Sequence, residues 1–473
     1  MKSTQTLAVD LDGTLTLTDT LHESILMLIR NKPFFLFFLP FWLVRGIAFL
    51  KFKVAENCEL DVTTLPYNLP FIDWLKEQKD NGRKIVLCSA ANERVAIAVS
   101  EHLNLFDDVI ASNMSINLKN VKKRKVLEDR FGDKGYDYAG NSKADIEVWA
   151  GAQKAIVVNA SKLVLKEAQA VTNISKVFPH EVISLPHWRH VFRAHHWVKN
   201  LLLFVPLLAA HQFSNIHSLS SLLIAFVSFS LCASAVYILN DLLDLNNDRK
   251  HPRKRLRPFA AAVVPIKYGV VLIPILAIIS LALGLMVGSS FIAWLIGYFA
   301  LSTLYSLCLK RFILIDCLTL ASLYIIRIFA GAAAVAILLS FWLLLFSAFI
   351  FVSLAFVKRY AELQVQEQAG NSVSYGRGYK TKDAPLVKTL GITAGYAAVI
   401  VLALYLNSET VVRLYAQPKI ISFSVPIVLF WISWIWIQAH RGEMHDDPIV
   451  FALKDRTSQV LAICLTFVYL IAI

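Results

Sequence analysis

Two stretches of this 473-residue chain carry side chains whose types and spacing suit chemistry. In TLAVDLDGTLT an apolar run ends in Asp10 and Asp12, with Gly13 and Thr14 directly behind. Side chains alternate along a strand, so acids two apart emerge on the same side. One carboxylate of such a pair can attack a phosphoryl group while the other handles protons, with Mg²⁺ between them. In LNDLLDLNNDRKHPRKRLRP, residues 239–258, Asn240, Asp241, Asp244 and Asp248 precede Arg249, Lys250, Arg253, Lys254, Arg255 and Arg257. On a continuing helix Asn240, Asp244 and Asp248 fall at i, i+4 and i+8, with Asp241 beside them, so the acids share one face. Carboxylates gathered at the edge of a low-dielectric region repel one another unless protonated or bridged, and oxygen-only ligands select Mg²⁺. The cations that follow suit a phosphorylated ligand whose charge exceeds what a metal neutralises. Cations beside a membrane helix are more often orientation anchors, but an anchor gains nothing from three aspartates in step.

The elements around these stretches differ in kind. Apolar residues make up 56% of the chain, including 30 Phe and 10 Trp, and this usage is far from that of a soluble domain. About the first 190 residues read as an ordinary mixed domain, whereas the rest is a series of long apolar runs separated by short charged loops. At about 20 residues per bilayer crossing, windows fall near 197–213, 219–240, 266–288, 291–309, 313–337, 341–357, 388–407, 419–438 and 457–473. These predict nine transmembrane helices. The loops at 241–265, 309–312, 358–387 and 439–456 hold nearly all the Lys and Arg of this part, while the opposite loops (HQFSNIHS, GSS, LLS and NSETVVRLYAQPK) are almost uncharged. By the positive-inside rule the charged loops and the head face the cytoplasm, giving a multi-pass protein of the inner, cytoplasmic membrane.

MKSTQTLAVDLDG has no long apolar core, so the head is expected to stay in the cytoplasm. The six cysteines show no CxxC pair, which argues against a disulfide or zinc framework. The net charge of +13 is expected to set orientation and bind phosphates rather than nucleic acid. Residues 33–50, PFFLFFLPFWLVRGIAFL, are nearly apolar enough to span, but Pro40 and Arg45 argue for a broken segment. Either it leans on the membrane surface as part of a cap over 33–68, or it is a helical hairpin buried in a soluble cap.

The head resembles the haloacid-dehalogenase (HAD) phosphatase superfamily over about residues 5–160. The DxDGT stretch is followed, in the family's order, by IVLCSA, NLKNVKKRK and YDYAGNSKADIEVW. The resemblance implies a Rossmann-like α/β domain over 1–180, with Asp10 as nucleophile, Asp12 as acid/base and Ser89 as the phosphate-binding hydroxyl. Lys119 is the first choice for the phosphate-facing lysine, with Lys122 and Lys125 as rivals. The last motif normally has an aspartate after its glycine. This chain has Asn141 there and Asp145 four residues later; both are expected to join Asp10 and Asp12 on Mg²⁺, since an Asn carbonyl can still ligate the metal.

Residues 190–473 resemble the UbiA-type intramembrane prenyltransferase superfamily, through the NDxxDxxxD motif of Asn240, Asp241, Asp244 and Asp248. Within it, HHWVKNLLLFVPLL, NDxxDxxxDRxHPxKRxRP, LKRFILIDCLTLASLYIIRIFAGAAA and VKRYAELQ are similar to the decaprenyl-phosphate phosphoribosyltransferase branch. Other members carry a second aspartate-rich motif after the sixth helix, where this chain has Lys358, Arg359, Tyr360 and Glu362. Cations in that place favour binding a further phosphate over a second metal. The resemblance implies an all-α membrane bundle that moves 5-phosphoribosyl from phosphoribosyl pyrophosphate to a polyprenyl phosphate. Asp241, Asp244 and Asp248, with Asn240, would hold Mg²⁺. Lys199, Asn200, Arg253, Lys254, Arg255, Arg257, Tyr360 and Glu362 would bind substrate, and Lys358 and Arg359 would take the 5-phosphate or the lipid phosphate. The head would then remove the 5-phosphate. Two other readings remain: prenyl transfer from a prenyl diphosphate to a small acceptor, and non-catalytic lipid-phosphate binding with a regulatory head. Asp316 and Arg327 either pair with each other or line the cleft. A homo-oligomer is compatible with the sequence.

Overall fold

A computed structural model describes residues 5–114, 116–212, 215–370, 372, 377–407, 411, 415–444 and 447–473. Parts of the predicted loops at 211–218, 358–387, 407–419 and 439–456 therefore lie outside the described residues. The chain forms two compact units: residues 1–191 with 241–271, and residues 192–240 with 272–473. The charged loop at 241–265, expected in the membrane part, thus belongs to the same unit as the head.

The first unit is built on a six-stranded parallel sheet in the order β3-β2-β1-β4-β5-β6. The strands are β1 (Thr6–Val9), β2 (Ile85–Asn92), β3 (Asp108–Ser112), β4 (Tyr136–Gly140), β5 (Lys154–Val158) and β6 (Asn173–Phe178). Near-continuous apolar runs such as LAV and IVLC form them because both faces are covered by helices. Leu7, Val9, Leu87 and Ile156 pack on one face, and Ala8, Val86, Tyr138 and Val157 on the other. Val9 sits opposite both Leu87 and Ala139. Asp10, Ser89 and Asn141 therefore emerge at the carboxyl edge of three adjacent strands, where parallel α/β sheets bind ligands. This is the Rossmann-like head expected from the motifs.

The helix Thr20–Asn31 follows the Asp10–Asp12 turn, its start capped by the Asp19 carboxylate, which accepts from the Leu21 and His22 amides. Beyond it the 33–50 segment breaks into a 3₁₀ turn, Pro33–Phe37, and the helices Leu39–Val44 and Ile47–Asn57, with Gly46 at φ 108° between the two helices. Phe34, Phe37, Phe41 and Val44 are each more than two-thirds exposed. An apolar row of this kind costs free energy in water and is stabilised at a lipid interface.

The second unit is helical. The described residues contain seven helices long and apolar enough to cross a membrane, or eight if the pair Pro448–Lys454 and Arg456–Ala472, bent by 83°, counts as one span. The expected ninth, at 197–213, is not among the long helices of the described residues. There, Ala194–Phe204 is a 3₁₀ run, followed by the short helix Val205–Ala209 with Pro206 at its start. Lys199 and Asn200 are buried in that run, and their polar ends bond inward to protein groups instead of lying on a lipid-facing helix.

Candidate functional site

In the head, Asp10 leaves the end of β1 with its amide bonded to Ala139 O at 3.0 Å. Its carboxylate accepts from Lys123 Nζ at 2.8 Å, and the same ammonium donates to the Tyr138 hydroxyl at 2.8 Å. Tyr138 in turn donates to Asp145 Oδ1 at 2.8 Å. The lysine beside Asp10 is therefore Lys123, not Lys119, Lys122 or Lys125, all of which are exposed. The sequence contained a usable signal: Lys123 and Leu127 are four apart and are the buried positions of the helix Val121–Phe131. A charged residue on the apolar stripe of a helix needs a buried partner.

Burial pushes the Asp10 carboxyl up to about 6 against the pull of Lys123, and it pushes Asp12 up to about 7, with Asp19 and Asp10 adding to the rise. Burial works against the Lys123 ammonium, but Asp10 and Asp145 hold it above the usual lysine range. Asp12 Oδ1 accepts the Thr20 amide at 2.8 Å. Ser89, fully buried at its strand, accepts from the Ala91 amide at 3.0 Å. Gly13 has φ +77°, and a Cβ there would lie 2.0 Å from Asn141 Nδ2, so only glycine lets the Asn141 carboxamide lie over the acid-bearing turn.

Asp145 has a different place from the one expected. Its Oδ2 accepts from the Asn141 amide and from the Ser142 amide and hydroxyl at 2.8–3.1 Å, while Oδ1 takes Tyr138. It organises the turn that presents Asn141. Asp10, Asp12 and Asn141 remain as a hard-oxygen set with two acids, Asp10 buried and Asp12 half-buried, whose charged forms are disfavoured. That set suits Mg²⁺.

In the charged loop the acids do not share one helical face. The helix Ile216–Leu243 ends before Asp244, which has φ −101° and ψ 10°, and the short helix Leu245–Lys250 restarts the chain. The break interrupts the helical register at Asp244, which still lies within electrostatic reach of Asp248 and Arg257. Arg257 donates to Asp241 at 3.0 Å and to Asp248 at 2.6 Å, whereas Asp244 lies 3.7 Å from Arg30 of the head helix. Arg257, expected to contact phosphate, thus bridges two of the supposed metal ligands. Among the described residues no three His, Cys, Asp or Glu side chains gather as a metal centre would require. Burial raises Asp248 to about 6 even with Arg257 beside it. Arg249 is also taken: it donates to both Glu23 oxygens, at 2.6 and 3.1 Å, and to Ala260 O at 3.0 Å. Arg253 and Arg255 are exposed and Lys254 half-buried.

The second unit holds its own polar cluster. Asp447 accepts from Lys199 at 2.6 Å, Lys358 at 3.3 Å and the Tyr324 hydroxyl at 3.2 Å. Burial alone would raise this carboxyl, but the two lysines hold it well below the usual range. Nearby, Arg359 pairs with Asp316 at 2.7 Å and with Glu362, and Arg377 reaches Asp316 at 3.1 Å and Glu362 at 3.3 Å. Asp316 and Arg327 are not a pair: Arg327 donates to Asn200 Oδ1 at 2.8 Å and to Tyr298 at 3.1 Å. Asn200 also donates to Ser230 at 2.9 Å, and Asn240 accepts from Lys310 at 3.5 Å. Tyr360 bonds His440 at 3.0 Å and packs by Trp436. Asp447 and Arg377 were missed because each lies far along the chain from the residues it meets.

The profile described as the UbiA prenyltransferase family matches residues 201–454. A protein of Sinorhizobium fredii described as uncharacterized protein y4nM is 33% identical over 98% of this chain and 90% of its own length. Decaprenyl-phosphate phosphoribosyltransferase of Mycobacterium tuberculosis is 33% identical over 57% of this chain and 89% of its own. Among solved structures, a UbiA homolog from Archaeoglobus fulgidus bound to GPP and Mg²⁺ aligns with a TM-score of 0.46 at 15% identity, covering 60% of this chain and 99% of that one.

Proposed function

The chain belongs to the UbiA prenyltransferase family, and on that premise we propose that it transfers 5-phosphoribosyl from phosphoribosyl pyrophosphate to a polyprenyl phosphate at the cytoplasmic face of the membrane. The C1–O bond to diphosphate breaks, a C1–O bond to the lipid phosphate forms, and pyrophosphate leaves. The observation that carries this reading is the excess of buried and half-buried cations in the polar cluster among the described residues of the second unit. Lys199, Arg327, Lys358, Arg359 and Arg377 outnumber Asp316, Glu362 and Asp447. Lys358 feels Asp447, Lys199, Glu362 and Arg377 together, so these charges form one field. Cations kept in an apolar bundle at such desolvation cost suit a polyanion. A donor with a 5-phosphate and a 1-diphosphate, together with a lipid phosphate, brings more negative charge than a prenyl diphosphate. The relative named decaprenyl-phosphate phosphoribosyltransferase supports the same reading.

The head then removes the 5-phosphate. The Asp10 carboxylate attacks phosphorus, the Lys123 ammonium neutralises charge on the phosphoryl oxygens, and Asp12 hands its proton to the departing ribose oxygen; water, giving its proton to Asp12, then attacks the phosphoryl-Asp10, freeing inorganic phosphate and Asp10. An acid pushed up to about 7 is well placed for that transfer at neutral pH. Asp10, Asp12 and Asn141 would hold Mg²⁺, which supplies Lewis-acid stabilisation of the phosphoryl group.

Purified protein is given labelled phosphoribosyl pyrophosphate or a prenyl diphosphate, with polyprenyl phosphate, and the lipid product is weighed by mass spectrometry. Wild type should yield polyprenyl-phosphoryl-ribose, and Asp10→Asn the 5-phosphorylated lipid. The same phosphorylated product from both would remove the head from the pathway. Consumption of the prenyl diphosphate alone would sink phosphoribosyl transfer.

A further inference from the structure

The helix Thr20–Asn31 joins two centres of charge inside the first unit. At its start the Thr20 amide holds Asp12 at 2.8 Å. In its first turn Glu23 receives the Thr18 hydroxyl at 2.9 Å and clasps Arg249 with both oxygens. In its last turn Arg30 lies 3.7 Å from Asp244. The Glu23–Arg249 pair is out of water, the side chains being 2% and 7% exposed. Lys250, the next residue, pairs with Asp61 of the head at 3.0 Å.

These pairs alternate in sign, acid on base and base on acid, which fixes register as well as proximity. They also set the charge on the loop. Arg249 directly follows Asp248, and without Glu23 its guanidinium would be a further cation for Asp241, Asp244 and Asp248. Glu23 and Asp61 hold Arg249 and Lys250, while Arg257 pairs with Asp241 and Asp248 and Arg30 lies by Asp244.

We propose that Glu23 and Arg30 are positioning residues for the transferase reaction: the phosphatase head's first helix holds the Asp241–Asp248 loop in its working charge state. This inference rests on the phosphoribosyl-transfer reading given above. The head is then a structural part of the transferase as well as a processing enzyme, and transfer depends on the head's helix even when the head's own chemistry is disabled.

The test uses the full chain, carrying Asp10→Asn so that hydrolysis does not alter the product. Glu23→Gln, Glu23→Arg, Arg249→Glu and the double swap Glu23→Arg/Arg249→Glu are compared for transfer of labelled phosphoribosyl to polyprenyl phosphate, alongside thermal midpoints. Partners that support a charged site typically carry about 10–100-fold in activity, so each single variant should lose roughly tenfold or more in kcat, with KM for the lipid phosphate unchanged. The double swap should recover most of the loss. Wild-type kcat in Glu23→Gln would overturn the inference, and so would losses in the charge-reversal variants that the double swap does not repair while the thermal midpoint is normal. If the charge reversals fail to fold, Glu23→Gln, which keeps the shape of the side chain, decides alone. Absence of transfer in the Asp10→Asn parent itself would overturn the transferase reading as well, so the two failures are distinguishable.

Discussion

Lys123 Nζ lies 2.8 Å from the Asp10 carboxylate, and both residues are withdrawn from solvent at the carboxyl edge of the head's sheet. Desolvation strengthens the field of that ammonium on any phosphoryl group brought to Asp10. Lys123→Ala should therefore lower hydrolysis of a small phosphate ester by about 100-fold or more, the usual scale for one preorganised donor. Lys119→Ala, an exposed change, should leave the rate near wild type. Steady-state kinetics on the two variants separate the residues.

The oxygen set of Asp10, Asp12 and Asn141 implies that chelation stops the head. Ester hydrolysis should fall to background in EDTA and return with Mg²⁺. Asn141→Ala should shift the Mg²⁺ concentration for half-activity upward, because one oxygen donor is lost while both acids remain. Activity titrated against Mg²⁺ reads this directly, and an unchanged midpoint would place the amide outside the metal's reach.

Arg257 bridges Asp241 and Asp248, and the Asp248 carboxyl already sits at about 6. Removing the guanidinium in Arg257→Ala raises that acid further. A carboxyl raised in the folded state binds its proton more tightly there than when unfolded. The stability it contributes is thus full at low pH and is lost as pH climbs from the unfolded value near 4 through the folded one. The thermal midpoint of Arg257→Ala should fall more steeply between pH 5 and pH 8 than that of wild type. Parallel curves would mean that Asp248 does not depend on Arg257.

Phe37 and Phe41 stand out from the cap with no apolar cover. If the cap leans on the bilayer, Phe37→Asp/Phe41→Asp should reduce hydrolysis of the lipid-borne phosphate in proteoliposomes and leave hydrolysis of a soluble ester unchanged. An equal fall on both substrates would point instead to a disturbed head fold.

Local pattern carried much of this protein. The apolar run before Asp10 and the periodicity of two place both acids on one edge, because strand geometry is dictated by neighbours in sequence. The long apolar runs declared most of the membrane helices for the same reason, since bilayer thickness sets their length. The 197–213 window holds a 3₁₀ run and a short helix among its described residues, and hydropathy averages over Lys199 and Asn200, whose inward bonds are not local. The helix break at Asp244 was hidden for a similar reason: spacing assumes a regular backbone, and the Arg257 and Arg30 pairings are not visible in spacing.

The sequence by itself determined the parallel-sheet head, the helical membrane part, the acid pair at Asp10 and Asp12 and the family resemblance, all of which rest on short-range periodicity and contiguous motifs. Only the tertiary structure decided that Lys123 serves Asp10, that Asp447 draws together Lys199 and Lys358, and that Glu23 takes Arg249 from the loop. Each of these is a charge pairing between residues distant in the chain, and its energy comes from burial together, which no local pattern encodes.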